Sequence, residues 1–233
     1  MIRAILNDAF VVLATAVCGS IGALGGLIRL HWRTNYRYST RYWGLFLMKA
    51  CGTRLRVENA ETVDFDRPRV FMTNHRSHWD TPVLAASIPT PLSFIAKIEL
   101  AKIPILGQGM KGVGMIFLDR RDPEKARLSL QKAAAILREG RSVMMFPEGS
   151  RSEDGRSMRP FKKGGFHLAL ESGLPIQPVV LLGTERILPK YKLLVRSGPV
   201  TARFGREITI RPDSTVESLM TETREEMERL LTP

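Results

Sequence analysis

The part of the sequence best suited to chemistry is residues 74–80, in which His75 precedes Asp80 by five positions. A short apolar run, Val70–Thr73, comes directly before it and predicts a buried strand, and Thr81-Pro82 predicts the start of a helix. On one regular helix, side chains five residues apart point to different faces, whereas across a turn between a strand and a helix they can meet. A histidine that an aspartate orients can act as a general base.

The same residues leave alternatives open. His75 and Asp80 can be ordinary turn residues, with Asp80 serving only as the helix cap. His78 or His167 could be the base instead, but His78 lies only two residues from Asp80, and the helical pattern places His167 on an apolar face. A covalent mechanism would need a serine or cysteine nucleophile. The chain has no Gly-x-Ser-x-Gly elbow, and its two cysteines both lie in apolar N-terminal segments.

The formal charge of the chain is +12, and much of the excess lies near the N-terminus. No acidic residue occurs between Asp8 and Glu58. The basic residues in this block are Arg29, Arg33, Arg37, Arg41, Lys49, Arg54 and Arg56. A block of charge of one sign predicts a polyanionic neighbour, which is either nucleic acid or an anionic membrane surface.

The apolar segment at residues 9–28 favours the membrane over nucleic acid. It carries no charge, and its length is close to the ~20 residues that cross a hydrocarbon core. A secretory signal peptide and a buried core helix are the alternatives. Residues 36–51 mix aromatic with basic side chains, as interfacial helices do. A nucleic-acid-binding protein would instead spread its aromatic residues over a basic face.

The two segments together predict a two-helix membrane anchor over residues 1–53, a hairpin that either spans the bilayer or dips into it. The arginines after the first segment place the rest of the chain on the cytoplasmic side by the positive-inside tendency. We therefore expect the protein at the cell inner membrane, facing the cytoplasm, with an anionic phospholipid surface as a partner and no nucleic acid. The two cysteines indicate neither a disulfide framework nor a metal site.

Residues 54–233 predict one α/β domain, because apolar runs alternate with helical patterns. Strands are expected at residues 70–73, 113–118, 142–146 and 176–182, and 201–210 predicts two short strands or one bent strand. Helices are expected to begin near residues 81 and 123 and to span 164–172 and 214–231. Residues 107–112 match the glycine spacing of a dinucleotide-binding loop, but a strand follows them instead of a helix, so we interpret the match as chance.

Arginines follow two of the predicted strands. Arg120 comes just after the strand that ends at Leu118, and Arg151 ends the stretch 146–151 that follows the next strand. Each alone would be an ordinary surface arginine. Near a histidine base, however, arginines at strand ends can hold a phosphate group bidentately, and Gly149 permits a close approach of the backbone to a ligand.

In this order, the clusters resemble the motifs of the glycerophospholipid acyltransferases, and most closely those of the 1-acylglycerol-3-phosphate acyltransferases. The resemblance covers roughly residues 55–210. The first family motif is matched by Asn74, His75 and Asp80, and the third, Phe-Pro-Glu-Gly-Ser/Thr-Arg, is matched without change by residues 146–151.

The other motifs match with small departures. The fourth, proline-rich motif is matched loosely, because Gln177 stands where an apolar residue is more usual. Lys97 resembles a family lysine that faces the phosphate of the acceptor. The second motif has leucine in place of isoleucine and is matched by Gly114, Phe117, Leu118, Asp119 and Arg120.

The resemblance implies a mixed, mostly parallel sheet flanked by helices, and an enzyme that acylates the sn-2 hydroxyl of 1-acylglycerol 3-phosphate to give phosphatidic acid. His75 would remove the hydroxyl proton during attack on an acyl thioester, and Asp80 would orient His75. The donor would be acyl-CoA or acyl carrier protein, with no metal or other cofactor. Glu148 would bind the glycerol hydroxyl or position Arg151. The residues implied to bind the acceptor are Lys97, Arg120, Glu148, Gly149 and Arg151.

Two other functions remain open from the sequence. The same chemistry could act on another lysophospholipid, on a lyso-aminolipid or on glycerol 3-phosphate. The chain could also be a basic membrane-binding protein without activity, although such a relative would usually lack the histidine or the aspartate, and both are present.

Overall fold

The computed structural model describes residues 2–119, 121–152, 157–192 and 194–232. Within these ranges, seven strands form one sheet in the order β1-β7-β6-β2-β5-β3-β4. The described strand pairs run parallel, except that β6 and β7 run antiparallel. This confirms the predicted α/β fold with a mixed, mostly parallel sheet. The strands are Thr53–Glu58 (β1), Val70–Thr73 (β2), Leu92–Lys97 (β3), Ile116–Leu118 (β4), Ser142–Met145 (β5), Ile176–Leu182 (β6) and Gly198–Phe204 (β7).

Helices cover both faces of the sheet and bury two hydrophobic clusters. Side chains from α1, α3 and α4 pack in one cluster, and side chains from α6, α7 and α9 pack in the other. The helices are Ile2–Leu27 (α1), Trp32–Tyr36 (α2), Tyr42–Ala50 (α3), Asp80–Ser87 (α4), Leu106–Gly112 (α5), Pro123–Arg138 (α6), Gly164–Ser172 (α7), Thr184–Ile187 (α8) and Val216–Leu231 (α9).

The central strands lie close to where the sequence predicts them. Every residue of β2 and β5 is buried, as are all but the last of β6, because helices cover the sheet on both sides. The region 201–210 differs in detail from the expectation. It contributes one strand, β7, which begins at Gly198, and an isolated bridge between Ile176 and Ile208.

Two of the helices begin with the capping interactions that their sequences indicate. The Asp122 carboxylate accepts hydrogen bonds from the backbone N–H groups of Glu124 and Lys125, both at 3.1 Å, at the start of α6. Thr215 and Ser218 form a capping box at the start of α9. These caps satisfy N–H groups that the first helical turn leaves without partners.

The predicted two-helix anchor is wrong in one respect, because only one helix among the described residues is long and apolar enough to cross a membrane. That helix is α1. The second segment folds as α2, a π-helical turn at Arg37–Arg41 and α3. Tyr36 and Leu47 from this segment are buried in the core of the domain. Tyr38, Tyr42, Leu45 and Phe46 stay exposed, so the segment packs on the domain only in part and, within the described residues, forms no second long apolar helix.

Glycines bring the backbones of α1 and α5 into direct contact. A Cβ atom added at Gly109 would lie 2.5 Å from the carbonyl oxygen of Gly19, and one added at Gly112 would overlap the carbonyl of Gly22. Asn35 ties the two helices together, because its side-chain amide donates to the carbonyls of Gly22 at 3.1 Å and Gly112 at 2.8 Å. The glycines of residues 107–112 therefore serve helix packing.

This contact predicts that a side chain at Gly112 will destabilise the protein. Gly112→Val should push α5 away from α1, and overpacking of this kind costs about 1–3 kcal/mol. For a protein of this size, the melting temperature in detergent should fall by roughly 2–4 °C per kcal/mol. Ser20→Val adds bulk at an exposed position of α1 and is the control. Equal melting temperatures for the two variants would contradict the close packing.

Candidate active site

The turn between β2 and α4 brings His75 and Asp80 together. His75 Nδ1 lies 2.8 Å from Asp80 Oδ2. The same oxygen accepts hydrogen bonds from the backbone N–H groups of Arg76, at 2.8 Å, and Ser77, at 2.9 Å. Asp80 is fully buried as the first residue of α4. Three donors on one oxygen offset the cost of removing the carboxylate from water.

This arrangement determines which nitrogen of His75 can react. Because Asp80 occupies Nδ1, Nε2 is the nitrogen that remains for a substrate proton. The His75 side chain is 18% exposed, so its ring is held by the protein yet accessible from one side. The pair thus has the geometry of a base and the acid that orients it.

The loop after β5 holds His75 at three further points. The Phe146 ring stacks on the imidazole, with 3.9 Å between the ring centroids. Glu148 Oε1 accepts the backbone N–H of His75 at 2.6 Å, and the backbone N–H of Ser152 donates to the His75 carbonyl at 2.8 Å. Reasoning from the sequence missed these contacts. The only sign of them in the sequence was that Phe146 and Glu148 belong to one family motif.

Glu148 is buried and bridges two segments of backbone. Its second oxygen accepts the N–H of Arg159 at 2.7 Å. Burial raises the pKa of Glu148, and the hydrogen bonds from the backbone of Arg159 and His75 oppose that shift. The role of Glu148 in binding a glycerol hydroxyl or positioning Arg151 stays a prediction. In the structure, the Glu148 carboxylate contacts the backbone N–H groups of His75 and Arg159.

Asn74 and Ser77 attach the histidine turn to the rest of the domain. The Asn74 side-chain amide exchanges two hydrogen bonds with the backbone of Leu181, at 2.9 and 2.8 Å. This pairing extends the contact between β2 and β6 beyond the end of β2. Ser77 Oγ donates to the carbonyl of Leu188 at 2.7 Å. The turn is therefore fixed on both sides of His75.

A cavity of about 590 Å³ opens beside His75. Its wall includes residues of α1, α5 and β3, and many of them are apolar, such as Cys18, Trp43, Phe94, Leu106, Met110 and Met115. We refer to it as the apolar cavity.

Two of the basic residues predicted to bind the acceptor also line this cavity. Lys97, the last residue of β3, Gly149 and Arg151 line it, as does Lys190. Gly149 has φ +73°, a left-handed conformation that favours glycine. The predicted residue Arg120 lies outside the described residues. The structure thus brings two predicted cations and His75 to one cavity.

The two alternative histidines occupy different positions. His78 lines the apolar cavity. The carboxylate oxygen that would orient a base, Asp80 Oδ2, is hydrogen-bonded to His75 instead. Desolvation lowers the pKa of His78, and the charges of Arg151, His75 and Lys97 lower it further, whereas Asp80 opposes the shift. His167 lies on α7, away from the wall of this cavity. The geometry therefore favours His75 as the base.

Comparison with known proteins identifies the family. The family model described as Acyltransferase matches residues 54–182, which include the histidine turn and the loop after β5. The chain belongs to the acyltransferase family.

Individual relatives of this acyltransferase-family chain include plant, fungal and bacterial proteins. It is 40% identical to a chloroplastic 1-acyl-sn-glycerol-3-phosphate acyltransferase of Brassica napus over 53% of this chain and 36% of the relative. It is 33% identical to a 1-acyl-sn-glycerol-3-phosphate acyltransferase of Saccharomyces cerevisiae over 82% of this chain and 65% of the relative. The match thus spans between about a third and two thirds of the length of these curated relatives.

A solved structure matches the whole fold. The crystal structure of the 1-acyl-sn-glycerophosphate (LPA) acyltransferase PlsC from Thermotoga maritima superimposes with a TM-score of 0.83 and 26% sequence identity. The match covers 99% of this chain and 95% of that one. The sheet and the helices around it, including the N-terminal region, therefore follow the architecture of a known acyltransferase.

The environment of Asp80 predicts the effect of removing its charge. Asp80→Asn keeps the size of the side chain but no longer stabilises a positively charged imidazole, so acyl transfer should fall by about 10²–10⁴-fold. The circular dichroism spectrum should stay unchanged. Asp66→Asn, at an exposed aspartate outside the site, is the control. Full activity of the Asp80 variant would show that this carboxylate serves only the fold.

Proposed function

We propose that this protein transfers a fatty acyl group from an acyl thioester to the sn-2 hydroxyl of 1-acylglycerol 3-phosphate, which gives phosphatidic acid. The observation that carries the proposal is that His75, paired with the buried Asp80, lines a cavity that is largely apolar but also bears Lys97 and Arg151. Such a cavity suits a substrate that combines a hydrocarbon chain with a phosphate. The names of the relatives in the acyltransferase family support the same acceptor.

The chemistry needs one base and no covalent intermediate with the enzyme. His75 Nε2 accepts the hydroxyl proton while the alcohol oxygen attacks the carbonyl carbon of the thioester. Asp80 stabilises the imidazolium that forms. The tetrahedral intermediate expels the thiolate, which recovers the proton from His75. Because a thiolate is a good leaving group, this sequence uses no metal or other cofactor.

Charged residues would bind the acceptor. Lys97 and Arg151, together with Arg120, would hold the phosphate, because arginine and lysine form charge-assisted hydrogen bonds to phosphate oxygens. Glu148 would contact the glycerol or keep the loop in place, and Gly149 would let the backbone approach the ligand. The apolar wall would receive the acyl chain of the donor, which would be acyl-CoA or acyl carrier protein.

We also propose that α1 lies along one leaflet instead of crossing the bilayer, at the cytoplasmic face of the cell inner membrane. The side-chain amide of Asn7 donates to the carbonyl of Val195 at 3.0 Å, and the Val195 N–H donates to Asp8 at 2.9 Å. The other end of α1 packs on α5. The helix is thus attached to the domain near both ends. Its exposed apolar side chains, which would enter the leaflet, include Leu6, Leu13, Val17, Leu24 and Leu27.

The choice of base is tested by comparing two histidine variants. His75→Ala should lower acyl transfer by about 10²–10⁴-fold, the usual contribution of a general base. The contacts of Glu148 and Ser152 are with the backbone of His75, so the fold should persist, although the melting temperature should fall because the buried Asp80 loses one hydrogen-bond donor. His78→Ala should retain most of the activity. Loss of activity in the His78 variant alone would refute the assignment.

The acceptor is tested with one labelled acyl thioester and a panel of lyso-lipids. We expect labelled product from 1-acylglycerol 3-phosphate and little or none from lysophosphatidylcholine, a lyso-aminolipid or monoacylglycerol, because only the first carries the phosphate monoester that the cations fit. Glycerol 3-phosphate tests the alternative acceptor that lacks an acyl chain. Preferential acylation of any other acceptor would overturn the proposed substrate.

A further inference from the structure

The loop after β5 passes along the wall of the apolar cavity beside His75. Phe146 stacks on the imidazole, and Glu148 Oε1 accepts the backbone N–H of His75. Further along the loop, the N–H of Ser152 donates to the His75 carbonyl. Ser150 lies in the chain between the last two of these contacts, and it lines the apolar cavity. The loop therefore holds Ser150 close to the base.

The hydrogen-bond donors of Ser150 are not used by the fold. Within the part of the chain that the structure describes, neither its backbone N–H nor its hydroxyl has a hydrogen-bond partner. The residue is only partly exposed. Backbone N–H groups that are removed from open solvent normally find an acceptor. Two donors on one residue of the cavity wall are thus available to a ligand.

Gly149 gives the loop a conformation that suits an anion. Its N–H donates to the carbonyl of Phe146 at 3.0 Å, which closes a turn, and its φ of +73° is left-handed. Successive N–H groups in turns of this kind form concavities that bind anions. The first N–H after the turn belongs to Ser150. Because the hydroxyl is on the same residue, both donors can reach one oxygen atom.

The proposed acyl transfer creates an anion at a single atom. When the alcohol oxygen attacks the thioester carbon, an electron pair of the C=O bond moves to the carbonyl oxygen, which becomes an alkoxide, and His75 Nε2 takes the proton. The C=O bond forms again as the C–S bond breaks, and the thiolate recovers the proton. Donors already in place at that oxygen usually lower the barrier more than any other single feature of an active site.

Other polar groups in the wall of the apolar cavity have other partners or other roles. The Trp43 N–H donates to a threonine of α1 at 3.0 Å, and the Ser39 hydroxyl donates to a backbone carbonyl at 2.6 Å. In the proposed function, Lys97 and Arg151 hold the phosphate of the acceptor. Thr81, the second residue of α4, also lines the cavity and supplies a comparison for Ser150.

We propose that Ser150 forms the oxyanion hole of the acyl transfer, with its N–H and its hydroxyl both donating to the carbonyl oxygen of the thioester. The inference rests on the proposed function and adds to it the group that stabilises the tetrahedral intermediate. His75 takes the proton of the alcohol, and Ser150 receives the negative charge. Because Arg151 follows in the same loop, adjacent residues would hold the thioester carbonyl of the donor and the phosphate of the acceptor.

The test compares two donors that differ in one atom, acyl-CoA and its dithioester analogue, in which sulfur replaces the carbonyl oxygen. Sulfur accepts hydrogen bonds only weakly, so an oxyanion hole favours the oxygen compound. Ser150→Ala should lower kcat for acyl-CoA by roughly 10²-fold and leave the KM for 1-acylglycerol 3-phosphate as it is. The ratio of kcat/KM for acyl-CoA to kcat/KM for the analogue should fall about tenfold, as expected for the loss of one hydrogen bond to a charged oxygen. Ser150→Thr keeps the hydroxyl and should restore most of both values.

Thr81→Val is the matched control, because it removes a hydroxyl from the same cavity and should leave the donor ratio as it is. The ratio separates the proposed role from a structural one, since a loop that has merely shifted lowers the rates with both donors alike. An unchanged ratio in Ser150→Ala, an equal fall in Thr81→Val, or a rise in the KM of the acceptor in place of the loss of kcat would each overturn the oxyanion hole while acyl transfer stands. Failure of the unsubstituted protein to transfer any acyl group would overturn the proposed function itself.

Discussion

The buried carboxylate of Asp80 is the constraint on which the rest of the site depends. A carboxylate that leaves water needs hydrogen-bond donors, and Asp80 finds three within its own turn, at His75 Nδ1 and at the backbone of Arg76 and Ser77. These bonds fix the shape of the turn, the first residue of α4 and the orientation of the imidazole together. One short segment therefore satisfies the folding requirement of a buried charge and positions a base.

The second constraint is the order of strands in the sheet. β2 and β5 are parallel neighbours, so the loops that follow them emerge at the same edge. The loop after β5 can then contact the imidazole through Phe146, the backbone N–H through Glu148 and the carbonyl through Ser152. Because two loops hold His75, a shift of either would move it relative to a bound substrate.

The position of the site beside the apolar face of α1 fits the proposed reaction. Helix α1 presents exposed apolar residues and packs on α5 through glycines. The cavity beside His75 is lined by Cys18 of α1 and Leu106 of α5 and also by the cations Lys97 and Arg151. In the proposed reaction, a lipid acceptor would therefore reach His75 from the side of α1.

Local patterns were enough to predict β2, β5, β6 and α7, and they indicated that His75 and Asp80 could meet, because strand runs, caps and a five-residue turn depend on neighbours in sequence. Only the tertiary structure decided that Leu47 faces the core, so that of the predicted two-helix anchor only α1 is a long apolar helix. It also decided that Phe146 and Glu148 hold His75. Such contacts join residues that are far apart in the chain. They exist only after the packing of the whole sheet has determined which strands are neighbours.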